Sequence, residues 1–182
     1  NDNVVWSFSG VRPLLDDGSG SADRATRDYR LDLKKSASGA ISLSILGGKL
    51  TTYRKLAEQA IDKLGTVFDF RKLAWTLTAS LPGGNMPGAN IDAFIESTAR
   101  KFPWLPDSLL RRYATSYGTY VELLMDGAMC LNDLGILLGP DLYEREVQYL
   151  VTNEWARTAE VLLWPRPKHG LNNAKAGPGP LQ

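Results

Sequence analysis

The hydrophobic period of this chain changes at two adjacent glycines, and this change constrains the fold more than any other feature. Before Gly47 and Gly48, the segments Tyr29–Leu33 and Ile41–Ile45 alternate apolar and polar residues, which is typical of strands. A short polar turn between them predicts a β-hairpin. After the glycines, apolar residues recur at helical spacing over Lys49–Leu64. The sequence therefore predicts a hairpin followed by a helix.

Prolines and glycines divide the rest of the chain into helical segments. We expect one further strand at Val4–Phe8 and helices over residues 91–102, 107–117, 143–153 and 155–164. The predicted fold class is α+β, with a small antiparallel sheet and a mainly α-helical C-terminal domain. The predicted domains are residues 1–67 with the sheet and one helix, 68–170 with the helices, and 171–182 as a flexible tail.

Composition excludes several functional classes. The 182 residues carry a net charge of +1 with acids and bases interleaved, so the chain lacks the basic stripe of a nucleic-acid binder. No apolar run approaches the roughly 20 residues needed to span a bilayer. Cys130 is the only cysteine and is expected to be buried, and the only histidine, His169, lies in a proline-rich tail, which argues against a metal site. The absence of an initiator Met and of a basic leader predicts a chain cut from a longer protein, without a secretory signal.

Two groups of residues are candidates for chemistry. The residues Gly48, Lys49, Leu50 and Thr51 open the first helix, where unpaired backbone N–H groups and the helix dipole suit an anion or a carbonyl oxygen. The second group is Arg12 and Arg27, whose guanidinium groups match phosphate oxygens and, together with Lys49, would hold a dianionic phosphate. The residues alone leave the alternatives open: a tight turn before a helix, and solvated arginines at strand ends.

The order of these segments resembles a known family. The segments are WSFSGVRPL at residues 6–14, TRDY at 26–29 and GGKLTTYRKLAE at 47–58. In this order and spacing they resemble the C-terminal portion of the FAD-dependent, aerobic glycerol-3-phosphate dehydrogenase family. The LPGG stretch at residues 81–84 fits the linker of that family, and residues 142–144 and 154–160 fit its helical domain, so the resemblance extends to about Leu171.

The resemblance implies a peripheral membrane flavoenzyme on the cytoplasmic, inner face of the cell membrane, with a homodimer as its assembly. Such an enzyme oxidises sn-glycerol 3-phosphate to dihydroxyacetone phosphate and passes the electrons to quinone. By the same resemblance Arg12, Arg27 and Lys49 are substrate-side residues: Arg27 would mainly bind the phosphate, and Arg12 and Lys49 would be catalytic. The resemblance also implies that four residues bind the cofactor: Gly48, Lys49, Leu50 and Thr51. The N–H groups of Leu50 and Thr51 would face the pyrimidine carbonyl of the flavin.

The sequence also departs from the family pattern. A G-x-G-x-x-G fingerprint after a first strand is absent, and the family carries it far upstream. We therefore expect that FAD belongs to the full-length protein, and that this chain alone neither binds FAD nor is active. Val161 stands where relatives tend to have an acid, and Pro165 and Pro167 interrupt a stretch that is usually basic and helical.

Two alternative functions remain open at this point. An oxidase of the same family would pass its electrons to oxygen instead of quinone. A non-catalytic helical module for a membrane face or a partner subunit is compatible with residues 90–170 taken alone. The Gly-Gly helix start and the arginines argue against the second alternative for the whole chain, because a scaffold has no need of them.

Overall fold

A computed structural model of the chain describes residue 4, residues 6–11, residue 15 and residues 28–70 and 73–171. The fold class is α+β, as predicted. Two strands, β1 and β2, precede helix α1; helices α2 to α4, a second pair of short strands and helices α5 and α6 follow. The bounds are β1 Tyr29–Lys35, β2 Ile41–Gly47, α1 Tyr53–Leu64, α2 Ile91–Lys101, α3 Asp107–Tyr117, α4 Val121–Leu124, β3 Leu137–Gly139, β4 Leu142–Tyr143, α5 Glu144–Asn153 and α6 Ala159–Leu163.

The chain divides into two compact units. The hairpin–helix unit is Phe8–Ala79, and the helical unit is Ser80–Gln182 together with Asn1–Ser7. The division falls later in the chain than residue 68, and the predicted set of three domains stays a prediction. No helix in the described ranges combines the length and the apolar character needed to cross a bilayer.

In the hairpin–helix unit, strands β1 and β2 form the predicted antiparallel hairpin. Leu31 pairs with Ile45 and Leu33 with Leu43, so the alternating apolar residues share one face of the ribbon. After the two glycines, one 3₁₀ turn at Leu50–Thr52 leads directly into α1. Helix α1 ends at Gly65, whose N–H donates to the Ile61 carbonyl oxygen at 2.8 Å.

Two polar contacts hold helix α1 against strand β1. The Tyr29 hydroxyl donates to Gln59 Oε1 at 2.9 Å. The Lys63 ammonium group donates to the carbonyl oxygen of Leu31. These contacts lie at the middle and at the C-terminal end of the helix, so they fix the helix body on the hairpin.

The helical unit packs its helices around one apolar core. The α2 helix starts where the Asn90 side chain accepts the Ala93 N–H at 3.1 Å, and it ends before Pro103. Helix α3 has the predicted bounds, and α5 begins one residue after the predicted start. The most deeply buried core side chains come from α3, α4, α5 and the turns between them: Leu109, Leu110, Tyr113, Val121, Leu124, Met125, Leu134 and Leu150.

A pair of glycines joins the linker to the end of α3. The Thr119 N–H donates to the Gly83 carbonyl oxygen at 2.9 Å. A Cβ atom on Gly118 would lie 1.9 Å from that oxygen, and a Cβ on Gly83 would lie 2.5 Å from the Tyr117 oxygen. Both residues also have positive φ angles, 77° at Gly83 and 56° at Gly118. Only glycine fits at either position, because backbone meets backbone there.

Three predictions were wrong: the start of the last helix, the burial of Cys130 and the strand at Val4–Phe8. Residues 155–158 are not helical, because Trp155 has a positive φ of 57° and the Thr158 side chain caps α6 by accepting the Val161 N–H. Cys130 is exposed rather than buried. The described residues of the predicted Val4–Phe8 strand have no regular secondary structure, and Val5 lies outside the described residues.

His169 belongs to the folded helical unit and not to an extended tail. It lies in a 3₁₀ turn with a relative exposure of only 4%. The neighbouring Gly170 packs so closely on the Trp164 indole that a Cβ would lie 2.7 Å from the ring. Trp164 in turn stacks on Trp6 at a centroid distance of 5.9 Å. The part of the predicted tail beyond Leu171 lies outside the described residues.

Candidate functional site

The helix start after strand β2 is shaped by two glycines in the left-handed region. Gly47 has a φ of 75° and Gly48 a φ of 102°. A Cβ on Gly47 would lie 2.7 Å from the Asp28 carbonyl oxygen, and a Cβ on Gly48 would lie 3.3 Å from Leu56 Cδ1. Both the φ angles and these short distances require glycine, so the chain can turn sharply from the sheet into the helix.

The residues directly after the turn are exposed to solvent. Lys49 is extended, with φ −123° and ψ 155°, and it precedes the 3₁₀ turn as its cap residue. Lys49 and Thr51 are exposed, and the Leu50 side chain is 88% exposed. The first N–H groups of a helical segment have no intrahelical acceptor and carry the positive end of the dipole. A ligand that carries an anion or an electron-rich carbonyl has open access to these groups and to the Lys49 ammonium.

Comparison with protein-family models gives no match. Comparison with curated proteins finds several similar sequences. The chain is 46% identical over 170 residues to the aerobic glycerol-3-phosphate dehydrogenase of Escherichia coli strain K12, covering 93% of this chain and 34% of that protein. It is 47% identical over 169 residues to the glycerol-3-phosphate dehydrogenase of Pseudomonas aeruginosa, covering 93% of this chain and 33% of that protein.

The chain belongs to the aerobic glycerol-3-phosphate dehydrogenase family. It spans about a third of the length of the curated relatives it matches. One relative has another substrate in its name: the D-erythritol 1-phosphate dehydrogenase of Brucella abortus is 42% identical over 175 residues, which is 96% of this chain and 35% of that protein. These curated relatives are therefore named for two different substrates.

The structure describes only part of the residues that the family resemblance selects. It places Gly48, Lys49, Leu50 and Thr51 together at the helix start, as their contiguity in sequence requires. Arg12 and Arg27 lie outside the described residues, so their convergence with Lys49 on one phosphate stays a prediction. Among the described residues, no group of His, Cys, Asp and Glu side chains is arranged to hold a metal ion.

A residue that the sequence analysis left without a role is part of this site. Thr52 stands three positions after Lys49, and its hydroxyl oxygen accepts the Lys49 N–H at 3.1 Å and donates to the Lys49 carbonyl oxygen at 2.9 Å. A threonine three residues after a helix cap residue is the sequence signal that would have revealed this contact.

The helical unit holds a separate, buried polar cluster around Glu146, which the sequence analysis also missed. Glu146 is fully buried, and both of its carboxylate oxygens accept a hydrogen bond from the Arg112 guanidinium at 2.6 Å. The Tyr117 hydroxyl donates to the same carboxylate at 2.6 Å. Burial alone would raise the pKa of Glu146, but the hydrogen bonds from Arg112 and Tyr117 outweigh it and hold the pKa below its usual 4.5.

Two further groups complete this cluster. His169 Nε2 lies 3.8 Å from Glu146 Oε2, which is too far for a hydrogen bond, and the atom is buried without a hydrogen-bond partner in the described residues. The Tyr113 hydroxyl is also buried without a hydrogen-bond partner in the described residues. Its pKa is raised mainly by burial and, to a smaller extent, by the negative charge of Glu146. The signal in the sequence was an acid, Glu146, on the otherwise apolar face of α5 beside Tyr149 and Leu150. The cluster lies in the helical unit, apart from the sequence segments that the family resemblance assigns to chemistry.

Proposed function

We propose that this chain is the C-terminal portion of an FAD-dependent enzyme that oxidises sn-glycerol 3-phosphate to dihydroxyacetone phosphate. The single observation that carries the proposal is the open helix start at Gly48–Thr51, in a chain whose relatives are named glycerol-3-phosphate dehydrogenases. The helix start offers a positive charge and backbone donors at one place, and oxidation of an alcohol carbon needs an acceptor whose growing negative charge is stabilised.

The residues at the helix start would act on the cofactor side. When bound, FAD accepts the hydride that leaves the substrate carbinol. The N–H groups of Leu50 and Thr51 offer hydrogen bonds to an electron-rich carbonyl, and the dipole of the segment adds to them. The Lys49 ammonium contributes a full positive charge beside the same position. Gly48 shapes the turn that places these groups, because its φ of 102° favours glycine and a Cβ on it would lie 3.3 Å from Leu56 Cδ1.

The arginines would act on the substrate side. Arg27 is proposed to bind the substrate phosphate through its planar guanidinium, and Arg12 to lie with Lys49 nearer the carbinol. A charge-assisted hydrogen bond from Arg27 to the phosphate would bind a small substrate and orient its carbinol. The Arg12 and Lys49 side chains are the proposed catalytic residues.

The remaining parts of the proposal concern the whole protein. We propose quinone as the electron acceptor, a peripheral location on the cytoplasmic face of the cell membrane, and a homodimer as the assembly. The oxidase alternative differs only in the acceptor, so peroxide production against quinone reduction separates the two. The 182-residue chain alone is proposed to be inactive and to lack FAD, because it carries no G-x-G-x-x-G fingerprint.

A second substrate has a specific observation in its favour. The similarity to a D-erythritol 1-phosphate dehydrogenase is almost as high as that to the glycerol-3-phosphate dehydrogenases, at 42% against 46% identity. Both substrates are polyol monophosphates with an oxidisable carbinol. The proposed roles of Arg27 and Lys49 apply to either one, and comparing kcat/KM for the two phosphates decides between them.

The proposal is tested by Arg27→Ala in a protein of the relatives' full length that contains this chain. A charge-assisted hydrogen bond contributes roughly 1.5–3 kcal/mol, so kcat/KM for the phosphorylated substrate should fall about tenfold to a hundredfold or more. FAD content should not change. Turnover of glycerol, which has no phosphate, should be nearly equal in the variant and the wild type.

Arg30→Ala is the matched control, because Arg30 stands three residues later in the sequence and pairs with Asp32 at 3.1 Å on the surface. It should leave kcat/KM close to the wild-type value. If Arg27→Ala lowers the activity on glycerol and on glycerol 3-phosphate by the same factor, Arg27 does not act through the phosphate, and that assignment is abandoned.

A further inference from the structure

The Thr52 side chain engages both polar backbone groups of Lys49. Its hydroxyl oxygen accepts the Lys49 N–H at 3.1 Å and donates its own proton to the Lys49 carbonyl oxygen at 2.9 Å. The Thr52 N–H donates to the same carbonyl oxygen at 3.0 Å. Thr52 is half-buried, whereas Lys49, Leu50 and Thr51 are exposed. One side chain therefore binds both polar backbone groups of Lys49, a residue on which the proposed site depends.

These bonds restrict the backbone of Lys49. The contacts that fix α1 on the hairpin involve Gln59 and Lys63, well inside the helix. The φ and ψ angles of Lys49 set the direction of its Cα–Cβ bond, and thus where the ammonium group can reach. The same angles set the orientation of the Leu50 and Thr51 N–H groups that follow.

We propose that Thr52 is a positioning residue for the reaction: its hydroxyl fixes the Lys49 backbone and thereby aims the Lys49 ammonium and the Leu50 and Thr51 N–H groups at the cofactor. The inference rests on the proposed function of the helix start. It differs from ordinary helix capping in its consequence. A cap that only stabilises α1 affects folding, whereas a positioning residue affects the geometry of groups outside α1 while the helix stays intact.

The first test uses the 182-residue chain itself. Amide hydrogen exchange by NMR should show the Lys49 N–H exchanging about two- to tenfold faster in Thr52→Val, the change expected for the loss of one hydrogen bond. Thr52→Ser keeps a hydroxyl and should retain the wild-type rate. Thr66→Val is the matched control, because Thr66 Oγ1 donates to the Lys63 carbonyl oxygen at 2.7 Å at the far end of the same helix. It should leave the Lys49 rate unchanged.

The second test uses a protein of the relatives' full length that contains this chain. Thr52→Val should lower kcat about tenfold with KM for the phosphorylated substrate changed less than twofold, while FAD content and thermal stability stay near those of Thr66→Val. The midpoint potential of the bound flavin should fall, by about 30 mV if the reduced form loses tenfold in relative affinity. Thr52→Ser should restore both values.

Each result decides between definite alternatives. If the Lys49 exchange rate is the same in Thr52→Val as in the wild type, the hydrogen bond does not restrain Lys49 and the inference is wrong. If Lys49→Met lowers kcat and the potential but Thr52→Val changes neither, the proposed function stands and the positioning role fails. If Lys49→Met itself changes neither, the helix start is not the cofactor site, and the proposed function and this inference fail together.

Discussion

The two units of the molecule differ in how completely they bury their apolar residues. In the helical unit, core side chains such as Leu109 and Val121 are almost completely buried. Among the described residues of the hairpin–helix unit, Ala60 alone is buried, while Leu73 is 93% and Trp75 68% exposed. Regular hydrogen bonding and amphipathic patterning are present in both units, so these features do not by themselves produce a core. The number of elements that can cover an apolar face decides whether a core forms, and the described residues of this unit supply only a two-stranded hairpin and one α-helix.

The difference in burial between the two units predicts that the helical unit folds cooperatively by itself and that the hairpin–helix unit does not. A shortened chain beginning at Thr66 should keep a cooperative thermal transition, because the core of the helical unit lies entirely beyond that residue. A peptide of residues 8–79 should unfold without a cooperative transition. Circular dichroism at increasing temperature measures both, with the 182-residue chain as reference. A shortened chain from Thr66 without a cooperative transition would show that the helical unit depends on the preceding residues.

The next largest effect is expected at the buried carboxylate of the helical unit. Glu146→Met leaves the Arg112 charge without its partner, so the free energy of unfolding should fall by about 3–5 kcal/mol. The double variant Arg112→Met/Glu146→Met should lose less than Glu146→Met alone, because no buried charge is left unpaired. Urea unfolding measures both.

Glu122→Gln provides the matched control, since Glu122 pairs with Lys101 at 2.8 Å with both side chains about half exposed. Breaking this surface pair should cost only about 0–1 kcal/mol. Equal losses in Glu146→Met and Glu122→Gln would mean that the buried cluster contributes no more to stability than an exposed pair does.

The same carboxylate predicts a pH dependence of the helical unit. The folded pKa of Glu146 lies below 4.5, so its contribution to stability is present above the unfolded-state pKa and is lost as the pH falls through the folded-state pKa. The groups that face it are Arg112, Tyr117, Tyr113 and His169. Urea unfolding between pH 7 and pH 3 should show a smaller acid loss in Glu146→Gln than in the wild type. Parallel curves for the two proteins would contradict this prediction.

The smallest effect is expected in the hairpin–helix unit. Leu73→Ser should change the free energy of unfolding of the chain by less than about 0.5 kcal/mol, because the side chain is already in solvent. Leu109→Ala in the helical unit is the contrast and should cost about 2–5 kcal/mol. A loss of several kcal/mol in Leu73→Ser would show that the exposed apolar residues are buried in solution.

The parts of the fold that the sequence predicted are those determined by neighbouring residues. The hairpin follows from the alternation of Tyr29–Leu33 and Ile41–Ile45, and helices α2 and α3 end where Pro103 and Gly118 stop them. The helix start at Gly48 was recognised for the same reason. Local signals of this kind, side-chain periodicity and proline or glycine stops, are visible in one short window of sequence.

The parts that the sequence did not predict depend on distant residues or on backbone strain. His169 is buried with its Nε2 3.8 Å from Glu146 Oε2, and this proximity of a residue near the end of the chain to helix α5 has no local signal in the sequence. The helix predicted from residue 155 fails because Trp155 takes a left-handed conformation, which helical spacing does not reveal. The convergence of Arg12 and Arg27 on Lys49 stays a prediction.

The joint between Gly83 and Gly118 has a consequence for reading variation in this family. In a saturation library, every substitution at either position places a side chain against main-chain atoms, so both glycines should appear as invariant as catalytic residues do. Neither of them is a residue of the proposed site, and Gly48 would give the same invariant signal. A glycine that tolerates no substitution can therefore be either a packing contact or part of a ligand-facing turn. The two cases are told apart by the atoms that a Cβ at that position would meet.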